Sequence, residues 1–173
     1  MIQDFLDEYE RYKLIGEKAL RQVPAEALNH RLNSELNSVA MIVRHISGNF
    51  RSRFTDFLTS DGEKPWRDRE SEFAEYDYTR QQIEEWWTQG WAVLFQELNT
   101  LGDADLTRMV TIRGLPLTVH EALCRSLSHA AMHIGQIIML ARIFHQNEWQ
   151  WLSIPKGQSQ SYNLNPTMEK RPS

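Results

Sequence analysis

The stretch Val119-His-Glu-Ala-Leu-Cys-Arg-Ser-Leu-Ser-His129-Ala-Ala-Met-His133-Ile-Gly-Gln-Ile-Ile-Met-Leu-Ala141 decides the fold. Val119, Leu123, Leu127, Ala130, Ile134, Ile137, Ile138 and Ala141 recur at helical spacing, the period of one buried face. Thr118 stands ahead of the run as an N-cap, and Glu121 three residues later completes a capping box. Three more segments upstream carry a comparable period. In the first, about Ile2 to Gln22, Phe5, Leu6, Tyr9, Tyr12, Leu14, Ile15 and Leu20 form most of a face, and Pro24 closes the segment. The second begins near Asn37 or Ser38, both good caps, and carries Val39, Ile42, Val43, Ile46, Phe50, Phe54, Phe57 and Leu58. Its expected stop is Ser60-Asp61-Gly62. The third starts near Asp77 or Thr79, buries Ile83, Trp86, Trp87, Val93, Leu94, Phe95 and Leu98 with Trp91 nearby, and stops at Leu101-Gly102.

The connections are also informative. Residues 24–36 are polar and read as a loop containing His30, and Glu63 to Tyr76 has no clear period. Between residues 106 and 119, two short β-type runs flank Arg113-Gly114, the pattern of a hairpin. Pro116 makes at least one strand an edge, because it has no N–H to give to a ladder. The tail from Gln146 to Ser173 is turn-rich, with Trp149 and Trp151 as expected anchors. Four amphipathic helices predict an all-α, up-and-down four-helix bundle spanning 1–173 as a single domain, with a short β-hairpin before the last helix.

Composition narrows the function. The chain is 24% charged with a net charge of −4 and mixed signs, so no basic block marks a nucleic-acid footprint. Cys124 is the single cysteine, which excludes an internal disulfide and a multi-cysteine zinc site. It reads as a small core or boundary residue, five positions from His129 and so turned well away from that face. Ala130 to Phe144 is the most apolar stretch, yet it contains His133, Gln136 and Arg142. It reads as a buried helix rather than a membrane span. The acidic N-terminus lacks a signal-peptide core, and a reducing cytoplasm is the expected compartment.

Six histidines remain to be placed. His129 and His133, four apart on one helix, project from one face roughly 6 Å apart, close enough to share an ion. Such a pair is often mere polar surface, or two rings bonded to backbone. Here Ala130, Ala131, Ile134 and Ile137 leave little room for solvated rings, and protonating both beside a core would set like charges together in a dry place. His45 is the third candidate. It stands between Ile42 and Ile46 in a narrow line of Met41, His45, Asn49 and Ser52 set into an apolar face. Facing helices of a bundle build metal sites from such inward polar residues. Three imidazoles leave a coordination position open, the mark of a catalytic site. The expected cofactor is one divalent transition metal among Zn, Ni, Fe and Mn; imidazole ligands do not choose among metals of this kind. His30, His120 and His145 read as ordinary, in a loop, a first helical turn and a helix end. Asn49 has two readings of equal weight: orienting a ligand, or bonding its own helix. The tryptophans at 86, 87 and 91 read as packing rather than as a stacking platform.

Three stretches then carry a resemblance: Asn37-Ser-Val-Ala-Met-Ile-Val-Arg-His45-Ile-Ser-Gly-Asn49, Phe57-Leu-Thr-Ser-Asp-Gly-Glu-Lys-Pro-Trp66-Arg-Asp-Arg69, and Ser153-Ile-Pro-Lys-Gly-Gln-Ser-Gln-Ser-Tyr-Asn163. With His129 and His133, they make the chain similar to the DinB/YfiT-like family of inferred metal-dependent enzymes. Within that family it resembles a bacterial subfamily described only as a domain of unknown function. The resemblance implies an up-and-down bundle with a three-histidine metal site, often assembled as a homodimer. Relatives include S-transferases that use bacillithiol, mycothiol or glutathione, and a mycothiol-dependent isomerase. A low-molecular-weight thiol cosubstrate is therefore the implied partner, and neither nucleic acid nor membrane is expected. The family's catalytic residues beyond the three histidines do not carry over.

The expected function is thus a metal-dependent enzyme, with a thiol-dependent S-transferase foremost. A metal-dependent hydrolase is the alternative within that class. A non-catalytic metal-binding bundle involved in stress response is the alternative outside it. The latter needs a fourth protein ligand, which a residue of the 61–76 loop or of the tail would supply.

Overall fold

The computed structural model describes residues 1–170, so the last three residues of the expected domain and tail lie outside the described residues. Four long helices form the bundle: α1 (Ile2–Leu20), α2 (Val39–Phe54), α3 (Arg80–Leu98) and α4 (Val119–Phe144). A hairpin of β1 (Met109–Ile112) and β2 (Leu115–Thr118) precedes α4. The tail adds a short α5 (Ser159–Asn163).

The caps explain the helix starts. Ser38 Oγ accepts from the Met41 N–H, while Thr79 with Gln82 and Thr118 with Glu121 form reciprocal capping boxes. The expected start near Asp77 or Thr79 resolves to Arg80, with Thr79 as cap.

α2 is shorter than its apolar period predicts. It ends at Phe54 rather than near Ser60, because Asp56 takes a left-handed backbone (φ 50°) and turns the chain back. Phe57 then lies on Phe54 at 5.2 Å between ring centres and is buried, so a turn reproduces the spacing of a continued helix.

The helices pack chiefly as two pairs, α2 against α3 and α1 against α4, with α2 also meeting α4. Residues 21–38 carry the chain across the bundle between α1 and α2. Gly90 lets α3 lie close on α2, since a Cβ there would stand 2.7 Å from Ser47 Cα. Trp91, at 1% exposure, is the centre of an aromatic core with Tyr9, Phe50, Trp87 and Phe95 around it. α4 is long and apolar enough, by length and composition, to cross a membrane. In this structure its stripe of Val119, Leu123, Ala130, Ile134, Ile137 and Ala141 joins the bundle core.

The hairpin turns at Arg113-Gly114, both at positive φ (56° and 74°), as a two-residue turn of primed type requires. Asp61 fastens the chain after α2 to that turn. Its carboxylate accepts the N–H groups of Glu63, Arg113 and Gly114 at 2.7–2.8 Å. These backbone bonds hold its pKa down to about 2. Trp149 packs on the core as expected, whereas Trp151 is 47% exposed and meets the Arg142 guanidinium instead.

Candidate metal centre

α2 brings His45 to the bundle interior, and α4 brings His129 and His133 one turn apart opposite it. His45 and His133 are buried, and His129 is half-buried. Their donor atoms meet. His129 Nε2 lies 3.2 Å from His45 Nε2 and 3.1 Å from His133 Nε2. Bonds of about 2.0–2.1 Å at tetrahedral to octahedral angles separate two nitrogen donors by about 2.8–3.4 Å, so both spacings are those of ligands around one ion.

The rings are held from behind. His45 Nδ1 donates to Glu72 Oε2 at 2.8 Å, and His133 Nδ1 donates to Gln136 Oε1 at 2.9 Å. Protonation at Nδ1 leaves a lone pair on each Nε2. A proton on His129 Nε2 can satisfy one of these lone pairs but not both. The cluster therefore contains donor atoms that face each other and lack hydrogens to share, and a cation resolves this. The three residues fit a divalent transition metal.

Burial, then the neighbouring His133 and His45, push the His129 pKa down to about 3; Arg67 and Arg53 add to the effect. Burial also lowers the His133 pKa, against the opposing bond to Gln136. Both rings stay neutral, the form that binds metal.

Glu72 is the residue that sequence reasoning missed. It lies on a 3₁₀ turn, Glu70–Phe73, in the connector without a period, and is 5% exposed. Arg67 grips it through Nε and Nη2 at 2.8 and 2.9 Å, a two-pronged bond. Burial acts to raise the Glu72 pKa, but the bonds from His45 and Arg67 outweigh it and hold the carboxylate ionised. A carboxylate behind a ligand histidine fixes its tautomer and raises its basicity. Gly48 makes the contact feasible, since a Cβ there would stand 2.1 Å from Glu72 Oε1. The connector thus supplies a carboxylate to the back of His45 rather than a fourth ligand. Among the described residues, no further His, Cys, Asp or Glu joins the three. Gln136, three residues after His133, was open to detection from helical spacing alone; Glu72 was not.

A cavity of about 250 Å³ opens beside the centre, walled by His45, His129 and Asn49 together with five arginines. The Asn49 side chain makes no hydrogen bond among the described residues, so its amide is available to whatever enters the cavity. The remaining histidines are apart from the site. His120 meets Phe5 edge-on, His30 meets Phe144, and the His145 ring bonds to Arg142 O. Cys124 is exposed beside His120, not in the core or at its boundary as expected.

Fold and site together define a helical bundle with a three-histidine cluster, two of whose rings line an adjoining cavity. Residues 1–158 match the model of a family described as a protein of unknown function, DUF1572, and the chain belongs to that family. No curated protein matches it.

Proposed function

We propose that this chain is a metal-dependent enzyme in which His45, His129 and His133 hold one divalent transition metal at the edge of the cavity. The observation that carries this reading is the convergence of three Nε2 atoms on rings fixed from behind by Glu72 and Gln136. When bound, such an ion lowers the pKa of a thiol or water brought to it and so supplies a nucleophile near neutral pH. The chain's own residues do the rest. Glu72, clamped by Arg67, holds the His45 ring in one tautomer, and Gln136 does the same for His133. Phe54, Phe57 and Ile112 give the cavity an apolar wall that limits water. Asn49 offers an amide to orient what binds there. Three ligands with an adjoining cavity favour catalysis over a closed structural site.

A low-molecular-weight thiol is the proposed cosubstrate, and S-transfer the proposed reaction. The likeness of the histidine pattern to the DinB/YfiT-like enzymes supports this. So does the exposed position of Cys124, which leaves the cavity without a thiol of its own. The test is to purify the protein without an affinity tag, measure its metal, and assay it with bacillithiol, mycothiol and glutathione against an electrophile. About one metal per chain and metal-dependent thiol consumption are expected. A protein that stays metal-free when offered Zn, Ni, Fe and Mn in turn overturns the reading. Metal-dependent ester cleavage without thiol consumption replaces S-transfer with hydrolysis.

A further inference from the structure

The whole chain carries a net charge of −4, yet the cavity beside the histidines is lined by Arg53, Arg67, Arg69, Arg113 and Arg125. Their carboxylate partners among the described residues are Glu63, Glu70 and Glu72. Arg67 is spent on Glu72. Arg53 and Arg113 share the single carboxylate of Glu63, at 3.2 and 3.0 Å. Arg69 pairs with Glu70 at an exposed position and lies over the Phe73 ring. Arg125, projecting from α4, has no hydrogen-bond or ionic partner among the described residues. Five guanidinium groups around three carboxylates leave an excess of positive charge in a concave site. Low-dielectric walls strengthen that field. Phe54, Phe57, Ile112 and Ala122 add apolar surface to the same cavity.

We propose that this cavity binds a small organic anion, with its carboxylate or phosphate on Arg125 and Arg69 and its apolar portion against Phe54 and Phe57. The proposal names the substrate class for the enzyme proposed above and rests on that reading for its catalytic meaning, but the arginine site itself does not need the metal. Guanidinium suits this role, because its fork of N–H donors matches both carboxylate and phosphate oxygens. Arg53 and Arg113 line the same cavity, as do His45 and His129, so the positive field extends over the histidines. An anion held there presents its other end to the metal centre.

Calorimetric titration with succinate and with inorganic phosphate, at low ionic strength, tests the site. Zinc-loaded and chelator-treated protein are compared for wild type, Arg125→Ala, the pair Arg69→Ala with Arg125→Ala, and Lys156→Ala. Arg125, Arg69 and Lys156 are all exposed, so truncation leaves the fold intact. At least one anion should bind wild type in both states, and added salt should weaken it. Arg125→Ala should weaken it about ten-fold, and the double variant further. Lys156→Ala, which removes a charge outside the cavity, should leave it unchanged. Tighter succinate assigns a carboxylate ligand, and tighter phosphate assigns a phosphorylated one. Absence of binding at millimolar anion, equal binding by all variants, or binding only to zinc-loaded protein overturns the proposal. Zinc uptake is measured in the same samples. Zinc taken up without anion binding removes this proposal alone, and anion binding without zinc uptake removes the metal reading alone.

Discussion

His133 and His120 share a helix and little else. His133 is 7% exposed, with Nε2 directed at His129 and Nδ1 held by Gln136. His120 is exposed in the first turn, touching Phe5 and Cys124. The helix backbone is the same, so the difference in role comes from the surroundings. In the proposed site, His133→Ala would remove a direct metal bond. Affinity should fall by well over the 10- to 100-fold loss that follows removal of a residue behind a ligand. His120→Ala should leave affinity within about two-fold, since an outward ring is no part of the coordination. Competition against a coloured chelator measures both beside wild type. Equal affinity for His133→Ala and wild type would remove the three-histidine centre.

Among the elements, the contact between α2 and the 3₁₀ turn at Glu70–Phe73 controls the site most directly. α2 must be bare at Gly48 for Glu72 to reach His45, and Phe73 covers the His45 ring at 4.9 Å between centres. Gly48→Ala should favour the helix by about 1 kcal/mol in intrinsic preference. It should nevertheless displace the Glu72 carboxylate and cost about 10- to 100-fold in metal affinity. Gly135→Ala on α4 is the control, because a Cβ there meets nothing within 4 Å. Circular dichroism melts and chelator competition separate the two effects. Unchanged affinity in Gly48→Ala would show that Glu72 does not support His45.

At the scale of the whole molecule, the histidine centre joins the two helix pairs, because His45 belongs to α2 and the other two to α4. Its protonation is therefore linked to global stability. The pKa of His129 lies near 3 in the folded chain and near 6.5 once exposed, and that of His133 is shifted in the same direction. A depressed histidine pKa means that the unfolded chain binds protons which the folded site refuses. The stability so linked is complete above about pH 6.5 and is lost as pH falls toward 3. Metal-free protein should melt at progressively lower temperature from pH 7 to pH 5. Zinc at one hundred times its Kd should add about 2.7 kcal/mol at pH 7, an increment that shrinks with acid as protons compete for the nitrogens. Scanning calorimetry with zinc or chelator at each pH measures both. A metal-free Tm that is flat or rises on acidification would contradict the linkage, and His129→Ala should flatten the slope.

The bundle, the hairpin and the clustering of the three histidines were legible because each depends on short-range regularity. Helical period and the Thr118–Glu121 cap define α4, and Arg113-Gly114 defines the primed turn. The i,i+4 spacing sets His129 beside His133, and the same period turns His45 inward among Ile42 and Ile46. The end of α2 was not legible, because the left-handed turn at Asp56 returns Phe57 to the same face that a longer helix would have used. Glu72 and Arg67 sit in a segment without a period, where no local rule says which of several charged residues turns inward. The arginines of the cavity come from α2, the connector, the hairpin turn and α4, so they are dispersed along a chain whose overall charge is negative. Local spacing determined which side chains share a face. Only the tertiary packing decided which faces meet, and with it which carboxylate backs His45 and which charges surround the open side of the centre.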